Sequence, residues 1–179
     1  MADNDSNPIP PPAGDGAADG IDTAADTRGV NLQRIYCKDA SLEVPLAPQI
    51  FARNWTPQVD VRLNTEVDTL GEDFYQVVLA VTVTSKSDDQ VLFLVEAQQA
   101  GVFEIKGFGQ GPELGALLGA YCPSLLFPFA RETIADLIQR GGFPPVLLQP
   151  IDFNAAYTEH LRARAAAAES QPAAGNNLN

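Results

Sequence analysis

From Val30 to Ile105 apolar and polar residues alternate in four runs, the two-residue period of β-strands. The first run, Val30 to Val44, is a strand with a break. Val30, Leu32 and Tyr36 alternate with polar neighbours before Ala40, Leu42 and Val44 resume the pattern. In the second, Val59, Val61, Leu63, Thr65 and Val67 oppose Asp60, Arg62, Asn64, Glu66 and Asp68, which predicts a strand with one wet face. A turn over Leu70 to Asp73 leads to a third strand with Tyr75, Val77, Leu79, Val81 and Val83 on its apolar face. The polar stretch Ser85 to Asp89 then makes a hairpin connection to a fourth, Val91 to Ile105. This last strand is apolar on both sides: Val91, Phe93, Val95 and Ala97 form one face, and Leu92 and Leu94 share the other with Glu96 and Gln98. Leu94 beside Glu96 predicts a surface that meets something, and Gly101 predicts a bulge.

After Gly111 the period changes to three and four. A short helix is expected from Pro112 to Leu118, then a central one on which Leu125, Leu126, Phe129, Ala130, Ile134, Leu137 and Ile138 form a broad stripe. Pro123 and Pro128 are expected in a first turn, and Gly141-Gly142 at the end, with Pro144 and Pro145 forbidding continuation. The stripe is wide enough to lie under a sheet and also to pack on another subunit, with Leu126, Phe129, Ile134 and Leu137 as the candidates. A last helix is expected from Asn154 to Ala168, capped by Asp152 or Asn154. Between the first two strands, Pro45, Pro48 and Pro57 favour an extended crossover rather than a helix, though it carries Ile50, Phe51 and the single tryptophan, Trp55. The expected fold is α+β: a four-stranded antiparallel sheet with a long crossover loop, packed on two C-terminal helices.

Composition changes this picture at the ends of the chain and in its chemistry. Residues 1–29 carry six aspartates and one arginine around Pro10-Pro11-Pro12, a mixture expected to be a disordered acidic extension. Residues 30–168 form the expected domain, and 169–179 a disordered tail. A net charge of −12 disfavours nucleic acid and anionic membrane surfaces, which need basic patches. Neither a leader-like start nor an apolar run near the roughly 18 residues of a membrane span is read, which predicts a cytoplasmic protein with no direct membrane insertion. Cys37 and Cys122 stand far apart, without metal-ligand spacing, and are expected as buried free thiols. Gly107, Gly109 and Gly111 do not make a phosphate loop, because Pro112 takes the place of the third fingerprint glycine. Asp39 and Glu43 fall roughly 13 Å apart along a strand, too far for paired acid/base chemistry. The one histidine, His160, is expected on the solvent side of the last helix. No catalytic residue, cofactor or metal is assigned.

A further set of residues carries a resemblance. Gln33-Arg34-Ile35-Tyr36, Trp55-x-Pro57, Glu96-x-Gln98-Gln99-x-Gly101-x-Phe103, Leu118 to Pro123 and Leu126 to Glu132 occur in the order and spacing of the SecB family of bacterial export chaperones. Arg140-Gly141, Phe143-Pro144 and Pro150 to Phe153 extend the likeness, which covers roughly Val30 to Leu161. The resemblance implies an ATP-independent chaperone, a homotetramer built as a dimer of dimers, that holds unfolded precursor proteins and delivers them to the motor SecA. It also implies contacts to the basic, zinc-bearing tail of SecA from Asp39, Glu43, Leu94 and Glu96, the zinc belonging to the partner. The aromatic crossover and the proline-rich loop after the central helix add groove-lining candidates: Phe51, Trp55, Val59, Leu148 and Phe153. The competing expectation is a small-molecule-binding or enzymatic α+β domain with a closed pocket between crossover and helices.

Overall fold

The computed structural model describes residues 28–169. The expected acidic extension, up to residue 27, and the polar tail, from residue 170, lie outside the described residues. Four long strands, β1 (Gly29–Glu43), β2 (Gln58–Gly71), β3 (Phe74–Ser87) and β4 (Gln90–Lys106), pair antiparallel in the order β1-β4-β3-β2. Helices α1 (Pro112–Ala116) and α2 (Cys122–Arg140) are joined by a π-helical turn, Leu117–Tyr121, and α3 (Phe153–Glu169) follows a loop.

The hydrophobic core lies between α2 and one face of the sheet. Val77, Leu79, Val81 and Val83 of β3 and Val95, Ala97 and Phe103 of β4 are sealed there beneath Leu126, Ala130, Ile134 and Ile138. A side chain at Gly101 would place its Cβ 2.7 Å from the Phe103 ring and 2.9 Å from Leu126 Cδ2. That glycine serves helix-to-sheet contact rather than the expected bulge. The irregular positions are elsewhere: Gln33 and Lys38 are skipped in the β1–β4 register, Leu70 in that of β2 and β3, and Leu92 in that of β3 and β4. The extra residue at Leu92 explains why Leu92 and its neighbour Phe93 are both buried, for a bulge resets the alternation of faces.

Several expectations are corrected. The folded region includes Arg28 and Gly29, the latter opening β1, so it starts before Val30. The crossover holds a short 3₁₀ turn, Gln49–Ala52, because Ile50 is driven into the core and Trp55 Nε1 donates to the Ile50 carbonyl at 2.7 Å. Pro128 sits inside α2 rather than in a first turn. Pro123 would clash with the carbonyl four residues back in an unbroken α-helix, and the π turn relieves this by bonding Cys122 N–H to the Leu117 carbonyl. That turn makes Pro112–Arg140 one run of 29 residues, long and apolar enough by composition to cross a membrane, contrary to the sequence reading; here it is the core helix of the sheet. Cys37 is exposed on edge strand β1, whereas Cys122 is buried and its thiol is pushed up to about 12 by that burial.

Candidate functional site

Helix α2 covers β3, β4 and part of β1 and leaves β2 bare. The residues that alternation assigned to the dry face of β2 therefore remain open: Val59 is 43% exposed, Val61 38%, Leu63 39% and Val67 42%. β2 is wet on both faces, a correction to the one wet face expected.

Helix α3 stands across from this strip. Asp152 caps it, its Oδ1 accepting from the backbone N–H of Asn154 and Ala155, both at 3.0 Å. Phe153, the first residue of α3, is buried with its ring edge-on to Phe127 at 5.6 Å. One turn on, Tyr157 lies against the α1–π-turn segment, where Gly115 and Gly119 leave room for it: a Cβ at Gly119 would come 2.4 Å from the ring, and one at Gly115 2.7 Å from the hydroxyl. Between β2 and this helix pair runs an open groove of about 420 Å³. Leu63 and Val67 form one wall, Leu118 and Tyr157 the back, and Leu161 and Arg164 the far lip. His160 is exposed and borders the same groove.

The five groove candidates do not share one wall. Phe153 borders the groove but is anchored in the core, and Leu148 is buried. Val59 belongs to the open strip, further along β2. Phe51, 55% exposed, packs tilted against Phe143 with ring centroids 5.5 Å apart, and Phe143 against Phe93 at 4.8 Å, an aromatic cluster at the C-terminal end of α2. Trp55 is half-buried, with Arg53 over its ring at 5.9 Å. Sequence reading missed Leu63, Leu118, Tyr157 and Leu161. The Gly115-x-x-x-Gly119 spacing was the signal that a bulky side chain docks there.

The opposite face of the sheet brings together the four positions of the acidic surface. Register pairs Asp39 with Gln98, Ser41 with Glu96 and Glu43 with Leu94, so all four candidates project from the side away from α2. Glu96 stands directly opposite Ser41, with both β1 carboxylates on its diagonals, a separation of roughly 7–8 Å. Thr82 of β3 donates to Glu96 Oε1 at 3.1 Å and holds that carboxylate in place. Further along, a hydrogen bond from Lys106 holds the Glu104 carboxyl below its ordinary value, while Gln33 Nε2 donates to its other oxygen at 3.1 Å. Of the helix candidates, Leu126 and Ile134 are sealed against the sheet and so cannot meet another subunit. Phe129, 46% exposed, and half-buried Leu137 remain open.

The family model for the preprotein translocase subunit SecB matches residues 23–164 of the chain. The chain belongs to the SecB family. Protein-export proteins SecB from Nitrosococcus oceani and Marinobacter nauticus are 46% and 48% identical to it, over 78% and 73% of this chain and 86% and 79% of theirs. A SecB-like chaperone of Mycobacterium tuberculosis, solved with a ChAD peptide from the HigA1 antitoxin, has the same fold, with a TM-score of 0.53 and 20% identity over 69% of this chain and 91% of that one. The SecB family is a family of export chaperones, not an enzyme class, and the α+β fold expected from the pattern is the fold of its members.

Proposed function

We propose that this SecB-family chain binds unfolded precursor proteins in the groove between β2 and α3, keeps them competent for translocation and hands them to SecA. The observation that carries this is the open apolar strip on β2. An ordinary domain covers such a strip with its own helix, since each fully buried aliphatic side chain is worth about 1.5–3 kcal/mol. A polypeptide with its own side chains still exposed can supply that cover. Apolar burial is non-directional, and the free backbone edge of β2 offers sequence-independent pairing, so the site accepts many sequences. Binding by burial alone requires no nucleotide, cofactor or metal.

Delivery is the task of the other face. Asp39, Glu43, Leu94 and Glu96 offer carboxylates around an apolar centre, complementary to the basic, zinc-bearing tail that the family's partner carries. The working form is a homotetramer, a dimer of dimers, with Phe129 and Leu137 of α2 at the contact between dimers, and its place of action is the cytoplasm. Size-exclusion chromatography with light scattering tests the reading, run with and without a denatured secretory precursor diluted into the sample. A species of about 76 kDa, four chains of 19.1 kDa, that captures the precursor is expected. A monomer that ignores the precursor would sink the proposal.

A further inference from the structure

The groove differs in charge from the chain that builds it. The chain has a net charge of −12, yet the described residues lining the groove include no carboxylate; its ionisable groups are Tyr157, His160 and Arg164. Its surface is otherwise aromatic and aliphatic, from Phe153, Tyr157, Leu63 and Leu118. A wall of this kind suits an apolar segment flanked by acidic residues.

The chain itself carries such a segment ahead of Arg28. Arg28, where the described chain begins, is fixed at α1: its Nε donates to the Gly107 carbonyl at 3.0 Å, its Nη2 meets Glu113 Oε2 at 2.5 Å, and its guanidinium lies 4.8 Å from the Phe108 ring centre. Gly107, at φ +78°, has no side chain to obstruct this seat; a Cβ there would come 2.8 Å from Arg28 Cγ. Glu113 precedes Gly115, a groove residue, by two positions, and Leu118 follows about 8 Å along the helix axis. The described chain therefore begins beside the start of α1, the helix that supplies Gly115 to the groove. Residues 1–27 contain Pro8-Ile9-Pro10-Pro11-Pro12, with Asp3 and Asp5 before it and Asp15 after it. Prolines favour the extended polyproline II conformation, which docks on aromatic-lined grooves at little ordering cost. Sixteen positions separate Pro12 from Arg28, a reach of up to about 50 Å.

We propose that Pro8 to Pro12 occupy the groove between β2 and α3 of their own chain, with the flanking aspartates toward Arg164, as a competitor that a client must displace. This rests on the groove being the client site and adds the regulation of that site. Tethering holds the segment at an effective concentration in the millimolar range, so a millimolar intrinsic affinity suffices to weaken client binding about two- to tenfold. Clients that fill the groove well displace it, and fragments that fill it poorly are excluded.

The test uses the full chain and its Ile9→Asp variant, a change outside the described domain that leaves every core side chain as it is. Methyl resonances of Leu63, Leu118 and Leu161 are expected to differ between the two proteins. A synthetic peptide of residues 2–15, added at millimolar concentration, should return the variant's resonances toward those of the unmodified chain. A reduced, carboxymethylated polypeptide, permanently unfolded, should bind the variant about two- to tenfold more tightly. Coincident methyl spectra overturn the proposal, and equal affinities overturn it as competition. If the methyls differ while the unfolded polypeptide binds neither protein, docking of the segment stands and the client reading falls. If the methyls coincide while the polypeptide binds both, the client reading stands and the docking falls.

Discussion

Gly119→Ala puts the back of the groove under a defined load. The added Cβ would sit 2.4 Å from both Cδ2 and Cε2 of Tyr157, whereas carbon atoms pack at about 3.5–4.0 Å, so the separation must grow by about 1.2 Å. The contact falls on the body of a ring carried by α3, so α3 itself has to move. Overpacking of this kind costs about 1–3 kcal/mol, and replacing a helical glycine returns about 0.5–1 kcal/mol. The net expectation is a loss of about 1 kcal/mol, read as a lower urea midpoint at fixed protein concentration. In a Tyr157→Ala background the clash is gone, so the same Gly119→Ala change should become stabilising by about 0.5–1 kcal/mol. Because α3 also carries Leu161 and Arg164, its displacement should weaken binding of an unfolded client several-fold. A rise in stability on Gly119→Ala in the chain that retains Tyr157 would refute the reasoning, since it would mean that the ring has room to spare.

Other outcomes follow from the same geometry. Leu126→Ala, at a sealed position, should cost about 2–5 kcal/mol, whereas Phe129→Ala should leave the folding of each chain nearly unchanged and show its effect in light scattering as a shift from the proposed tetramer toward dimer. Asp39→Asn with Glu96→Gln should weaken binding of the SecA tail in calorimetry, and the difference should shrink as salt rises; an unchanged affinity at low salt would count against the outer-face assignment. Cys37 should react with a thiol reagent in the folded protein and Cys122 only on unfolding. The buried Cys122 thiol, pushed up to about 12, keeps its proton in the folded state while the unfolded chain loses it above about 9. Its contribution to stability is thus constant below pH 9 and falls as the pH rises from 9 toward 12, a decline that Cys122→Ala should remove.

The strands, the three helices and the cap at Asp152 are all expressed locally, in alternation, in three-and-four spacing and in the position of an Asx residue before a helix, and these were legible. What was not legible depends on which neighbours the elements find. The alternation of β2 looks the same whether or not a helix covers it, and only the order β1-β4-β3-β2 makes it an uncovered edge. Leu126 and Phe129 belong to one sequence stripe, yet three positions of helical rotation bury the first and open the second. The Leu92 bulge left its trace as apolar residues on both faces, a pattern that pointed to a surface although it recorded a shift in register. Strand period alone puts Asp39 and Glu43 on one side, but their choice as a docking site came from the family resemblance and not from the pattern. That Glu96 lies across from Ser41, between them, is set by pairing between distant segments.

On the proposed reading, the bare strip on β2 also decides which polypeptides this protein acts on. A wall of half-exposed valines and leucines cannot read a sequence, so selection passes to time. With association at about 10⁵–10⁷ M⁻¹s⁻¹, a micromolar concentration of sites meets a given chain about 0.1–10 times per second. A domain rich in local contacts hides its apolar side chains within microseconds to milliseconds, long before such an encounter, while one that depends on distant strand pairings takes milliseconds to seconds and is still open when it arrives. As the proposed client site, the uncovered strand would thus work as a clock, sorting newly made chains by how long they leave their interiors unfinished.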